Sequence, residues 1–437
     1  MITRSVRLVS LAAVAVLALS ACIAGGSAGT ATTAGPPGSG GAVSSADGPG
    51  RSDSASAPSM AAPVSKAVIQ ATPGDAATGV SVIEPVLVRA ENGTLDSVVM
   101  TNPDGKEVVG AVSADGVSWT SGEPLGYART YTITATARDT GGLTTSKTSS
   151  FTTVDPAGRI FPSFEPPPER GTVGVGQPLS VIFDSPPPDQ AAAEKALTVT
   201  AVPAQTGGWY WVDDRTVHYR PQVYWQAGTQ VTLDAKLYGV DLGGGMYGDT
   251  DRTLNLTIGP AKIATVDDAS KQMTVTIDGQ VVRQYPVSMG RDDSTTVDGE
   301  VISFITPSGI YVAQEKYDVK QMSSASYGLP TDYALGYDQA IPLAVRLSNS
   351  GIFAHSAPWS VADQGVRNVS HGCINQPPED AQWFYDTFGF GDIVQVTGTQ
   401  LAPHDGYGDW NIPWDQLGAG QRPELTRRAI ICTHGFS

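Results

Sequence analysis

The sequence predicts a mainly β protein: two immunoglobulin-like β-sandwiches followed by a third β-rich domain carrying one or two short helices. Three observations point there. Glycine (49) and proline (31) are abundant in the 437 residues, which favours turn-rich β structure and linkers over helical bundles. Apolar residues recur with a period of two in short runs bounded by turn residues, the pattern of half-buried strands. Start and stop signals for a helix coincide only around Pro378–Phe388. A chain of this length is also too long for a single core and suggests about three domains.

Residues 1–21 read as a secretory signal. Arg4 and Arg7 precede an apolar run from Leu8 to Leu19, which is too short to span a bilayer as a stable helix. Leu19-Ser20-Ala21-Cys22 resembles a bacterial lipobox, in which Cys22 would be lipidated and become the mature N-terminus. Residues 22–65 are dominated by Ala, Gly, Ser, Thr and Pro and have almost nothing to bury, so they are expected to stay disordered. A flexible tether of that length has an r.m.s. reach of roughly 35–40 Å.

Residues 66–155 form the first expected sandwich. Asn102-Pro103-Asp104-Gly105, Asp115-Gly116 and Gly141-Gly142 supply turns, while Tyr131, Ile133, Ala135 and Ala137 alternate along one strand. Residues 156–259 repeat the logic with Leu179, Val181 and Phe183, then Trp209 and Trp211, then Val231, Leu233, Ala235 and Leu237. Neither block holds a cysteine pair, so the immunoglobulin likeness is architectural. The tryptophans admit two readings, a carbohydrate platform or core packing, and their alternation favours the core.

The third domain is placed at 260–398. Met273, Val275 and Ile277 alternate, Asp278-Gly279 turns the chain and Val282 follows, which reads as a hairpin. A long loop is expected between Tyr311 and Ile341, and such loops in compact domains usually carry function. Pro377-Pro378-Glu379-Asp380 starts the helix, Gly389 stops it, and Gly391–Val396 returns as a strand. In the C-terminal segment, 399–437, Trp410 and Trp414 suggest a short stretch that packs back on the domain.

The formal charge of −16 argues against nucleic acid and anionic lipid headgroups as electrostatic partners. The three cysteines, at 22, 373 and 432, imply no disulfide framework, and Cys432 with His434 makes no metal site; no metal and no cofactor are expected.

The chemistry concentrates in His355-Ser356-Ala357-Pro358-Trp359 and Ser370-His371-Gly372-Cys373-Ile374-Asn375. A thiol needs a base to become a thiolate at neutral pH, and an oxyanion needs donors already in place. His371 stands close enough in sequence to serve Cys373, and Gly372 lets the backbone approach a developing oxyanion. Together with Thr306-Pro307-Ser308-Gly309-Ile310-Tyr311, the pattern resembles that of the L,D-transpeptidases, the cysteine enzymes that cross-link peptidoglycan. The second block, around Trp209 to Thr229, looks like the corresponding domain of the multidomain mycobacterial type.

The resemblance implies a reaction. The cysteine attacks the third residue of a tetrapeptide donor stem, D-alanine leaves, and an amine of an acceptor stem resolves the thioester into a 3–3 cross-link. By matching positions it implies Cys373 as nucleophile, His371 as base, Ser356 as the carbonyl orienting that base, and His355 lining the site. Gly372 and Cys373 would give backbone donors to the oxyanion. Tyr337 matches the lid tyrosine, Met322 and Trp359 the apolar walls, Asn375 a support beneath the motif beside Ser370. It further implies peptidoglycan stem peptides as partners, carbapenem β-lactams as covalent inhibitors, and attachment through Cys22 to the outer face of the plasma membrane. Alternatives are an L,D-carboxypeptidase and a wall-anchored peptidoglycan-binding scaffold. A sortase would need an arginine after its cysteine, and a papain-like hydrolase would place its cysteine before its histidine.

Overall fold

The structure, a computed structural model, describes residues 63–400 and 408–417. Cys22, the linker up to residue 62, and Cys432 with His434 lie outside the described residues.

In the first sandwich one sheet orders Val68–Thr72, Leu87–Glu91, Ser118–Ser121 and Gly110–Val112, and the other Ala77–Val80, Thr144–Thr153, Thr130–Asp139 and Gly93–Thr101. Strict alternation along Thr130–Asp139 sends Tyr131, Ile133, Ala135 and Ala137 into the core, where they meet Val88 and Trp119 from the other sheet. The expected turns form where Gly105, Gly116 and Gly142 take positive φ.

The second sandwich repeats the architecture around Leu179, Val181, Phe183, Val231, Leu233 and the deeply buried Trp225. Trp209 and Trp211 pack against this core, Trp209 edge-on to Tyr219 and Trp211 stacked on Phe183. Both rings pack on the core side, as the alternation favours. One element was not anticipated, a short helix Gln190–Lys195 capped by Asp189, whose side chain accepts from Ala192 N–H at 2.9 Å.

The third domain joins a five-stranded sheet (Gln280–Pro286, Gln272–Ile277, Lys262–Asp267, Ile393–Thr397, Gly309–Val312) to a four-stranded one (Lys316–Ser323, Asp338–Arg346, Phe353–Ser356, Ile374–Gln376). The hairpin is present, and both turn residues, Asp278 (φ 49°) and Gly279 (φ 80°), lie in the left-handed region that a two-residue turn between twisted strands demands. The helix spans Pro378–Thr387 and buries Phe384, which stacks on Phe388 at 4.1 Å between centroids. The loop expected between Tyr311 and Ile341 is a correction: Lys316–Ser323 pairs with Asp338–Arg346, so only the tip of a long hairpin is irregular.

The second sandwich and the third domain share one core, because Val312, Phe390 and Ile393 cluster with the sandwich residues. Two glycines make this contact possible. A Cβ on Gly176 would lie 2.0 Å from Ile393 Cδ1, and one on Gly174 would lie 2.3 Å from Asp392 N. Instead, Gly174 and Gly176 donate to the carbonyls of Phe390 and Gly391 at 2.8 and 2.9 Å. The segment 408–417 crosses the same seam. Trp410 meets Tyr224 edge-on and donates to Gly176 O at 2.7 Å, and Asn411 exchanges two hydrogen bonds with the backbone of Ile310. The buried Asp409 carboxylate receives the Tyr210 hydroxyl and lies 3.0 Å from His218 Nδ1. Trp410 and Trp414 therefore pack back chiefly on the second sandwich, where both lie under the Arg220 guanidinium. The seam anchors the five-stranded sheet that backs the site.

Candidate active site

The nucleophile position follows from strand register. Ile374–Gln376 runs parallel to Phe353–Ser356, with Ala354 opposite Ile374 and His355 opposite Asn375. Ala354 and Ile374 are fully buried in the domain core, so alternation turns His355 and Asn375 to the other face. The same alternation carried upstream brings Cys373 to that face, where it is half-buried and its Sγ lies 3.9 Å from Gly351 O.

His355 is 4% exposed, and its Nδ1 lies 2.9 Å from the Ser356 carbonyl. A carbonyl accepts only from a protonated ring nitrogen, so this bond fixes the tautomer and leaves Nε2 with a free lone pair. Burial pushes the His355 pKa down to about 4, partly opposed by the Ser356 bond, so the ring is uncharged at neutral pH. Trp359 stacks on it at 6.0 Å and is itself 55% exposed. This corrects the expectation for Ser356: its carbonyl orients His355, not His371.

His371 is held differently. Its ring stands edge-on to Phe304 at 4.9 Å and tilted against Tyr337 at 5.0 Å. A backbone hydrogen bond ties it to Leu335 in the hairpin tip, and its buried Nε2 has no hydrogen-bond partner among the described residues. Burial first, then the Arg291 charge, lowers its pKa to about 4. His371 thus braces the tip that carries Tyr337, whose own backbone is pinned by Ser324 through N–H to Oγ at 2.9 Å.

The turn between the histidine and the cysteine is fully cross-braced. Ser370 Oγ accepts from Gly372 N–H at 3.1 Å and donates to the Cys373 carbonyl at 2.6 Å. The expectation that Gly372 offers its N–H to an oxyanion is therefore corrected, because that N–H is committed to Ser370. What Gly372 supplies is a φ of 125°, in a region that side chains disfavour. Asn375 donates to Ser360 Oγ at 3.0 Å and exchanges backbone bonds with Ser288, so it sits beneath the motif as a brace. Met322 is half-buried on the strand leading into the tip, facing Gln339 across the hairpin.

Three further residues escaped the sequence reading. Arg291 clamps the motif from behind through Nη2 to Val369 O at 2.8 Å and backbone N–H to Ser370 O at 3.1 Å. Phe304 supports the His371 ring. Thr306 figured only as part of a resembling motif, and its hydroxyl donates to Gly372 O at 2.8 Å. Among the described residues no group of three or more His, Cys, Asp and Glu is arranged to hold a metal ion.

Comparison with known proteins places these features. A bacterial Ig domain family matches residues 77–241, and the L,D-transpeptidase catalytic domain family matches residues 261–396. L,D-transpeptidase 2 of Mycobacterium tuberculosis is 44% identical over 349 residues, covering 79% of this chain and 83% of that protein. L,D-transpeptidase 5 of the same species is 39% identical over 350 residues, covering 78% of this chain and 74% of that one. Among solved structures, an L,D-transpeptidase from Mycobacterium smegmatis superposes at TM-score 0.43 with 33% identity, spanning 52% of this chain and 94% of its own.

Proposed function

Because the chain belongs to the L,D-transpeptidase family, we propose that it forms 3–3 peptidoglycan cross-links through a thioester on Cys373, with His355 as the general base. The observation that carries the base assignment is the 2.9 Å bond from His355 Nδ1 to Ser356 O on the strand beside Cys373, which leaves Nε2 to take a proton.

The proton passes from the Cys373 thiol to His355 Nε2. The sulfur lone pair then forms a bond to the carbonyl carbon of the third residue of the donor stem, and the π pair moves onto oxygen. Collapse of that oxyanion breaks the C–N bond, and D-alanine leaves with the proton held by His355. The acceptor amine next adds to the thioester, gives its proton to His355 and expels the thiolate. His371 positions the Tyr337 lid, and Tyr337, Met322 and Trp359 border the cleft that the stems enter. Cys22, lipidated, would hold the enzyme at the outer face of the plasma membrane in the cell envelope, with residues 22–65 as its tether.

Mass analysis of products from a disaccharide tetrapeptide tests this reading. Dimers that have lost one D-alanine for each cross-link are expected. Tripeptide monomers alone would identify an L,D-carboxypeptidase instead, and unchanged tetrapeptide would overturn the enzymatic reading in favour of a wall-binding scaffold.

A further inference from the structure

The Cys373 N–H is the backbone donor next to the thiol, and its direction is set by the peptide that joins Gly372 to Cys373. A trans peptide is planar, with its carbonyl and the following N–H pointing in opposite directions. The Gly372 carbonyl points at Thr306, which is fully buried and accepts at Oγ1 from Gly290 N–H at 2.8 Å while donating to Gly372 O at 2.8 Å. The first bond occupies an acceptor site of the hydroxyl and the second uses its only proton. Gly290 lets the two segments approach this closely: a Cβ there would lie 2.7 Å from Thr306 N and 2.9 Å from Gly372 Cα. Thr306 is anchored in turn by Thr399, whose hydroxyl donates to its carbonyl at 2.7 Å.

The geometry points to Thr306 as a positioning residue for the oxyanion hole: by holding the Gly372 carbonyl inward, it aims Cys373 N–H outward at the carbonyl oxygen that the Cys373 thiolate attacks. This rests on the reading of Cys373 as the acylated nucleophile. Gly372 is the joint that makes the device necessary, since a glycine at φ 125° can rotate where a residue with a side chain could not. Without the Thr306 hydroxyl, the Gly372–Cys373 peptide is free to turn over, and the donor leaves the site.

Two reactions of the same thiol separate this role from general support. Acylation by a β-lactam forms the S–C bond, places charge on the carbonyl oxygen and breaks the ring C–N bond, so it needs the hole. Alkylation by iodoacetamide displaces iodide from a saturated carbon and passes through no oxyanion. Removing one well-aimed donor costs on the order of 10²–10³ in rate, so Thr306→Val, which misaims rather than deletes it, should slow acylation by about 10- to 100-fold. Alkylation should change by less than about twofold, and Thr306→Ser, which keeps the hydroxyl, should acylate within about threefold of the parent protein. Equal losses in both reactions would mean that the valine merely displaces Cys373, and unchanged acylation would mean that the carbonyl needs no tether; either result overturns the inference. So would a serine variant as slow as the valine one. A parent protein that alkylates but never acylates would instead overturn the reading of Cys373 on which the inference stands.

Discussion

Cys373→Ala should abolish D-alanine release from a tetrapeptide donor, with turnover below the limit of detection and the melting temperature essentially unchanged. The side chain is small and half-buried, and alanine keeps its Cβ, so the substitution removes the sulfur with little change in packing. The turn itself is held by main-chain and Ser370 bonds that alanine preserves. No second thiol exists among the described residues to substitute for it. Release above a few per cent of the parent rate would remove Cys373 from the mechanism.

His355→Ala should lower acylation by about 10²–10⁴ at neutral pH, the usual contribution of a positioned general base. His371→Ala should cost less, since that ring braces the lid rather than exchanging the proton. A free thiol titrates near pH 8.5, so the His355→Ala rate should recover as the pH rises through that range and the thiolate forms without help. The opposite ranking, with His371→Ala the more damaging and the more alkali-rescued, would return the base role to His371. The substitution should also leave a mark on stability. Folded His355 resists protonation down to about pH 4, whereas the unfolded residue takes a proton near 6.5. Between those values the unfolded chain binds the extra proton, so stability is full above about pH 6.5 and falls as the pH drops towards 4. The melting temperature of the parent protein should therefore decline more steeply over that window than that of His355→Ala.

Much of this was legible in the sequence because the information is local. Alternation at Tyr131–Ala137, the Asp278-Gly279 turn and the proline-started helix at 378 each announce themselves within a few residues, and all three stand in the structure. The strand Lys316–Ser323 escaped because it lies at the edge of its sheet with neither face regularly buried, so its polar residues carry no period. The choice between the two histidines could not be made from spacing. Both stand near Cys373 in sequence, and what separates them is the register that sets His355 opposite Asn375 and the carbonyl that Ser356 presents to it. The partners of Gly174, Gly176 and Thr306 were hidden for the same reason: they lie far along the chain, 66 residues away for Thr306 and Gly372. A hydroxyl in a motif shows that something is held, but only the fold shows what.

Intact-mass analysis after exposure to a carbapenem reads out whether Cys373 is the residue that becomes acylated. A β-lactam carbonyl offered to an activated thiolate in an oxyanion hole gives a thioester that water attacks slowly. One adduct per chain is expected, located by peptide mapping on the peptide containing Cys373 and missing from Cys373→Ala. An adduct that survives in that variant, or that maps to Cys432, would mean that Cys373 is not the acylated nucleophile.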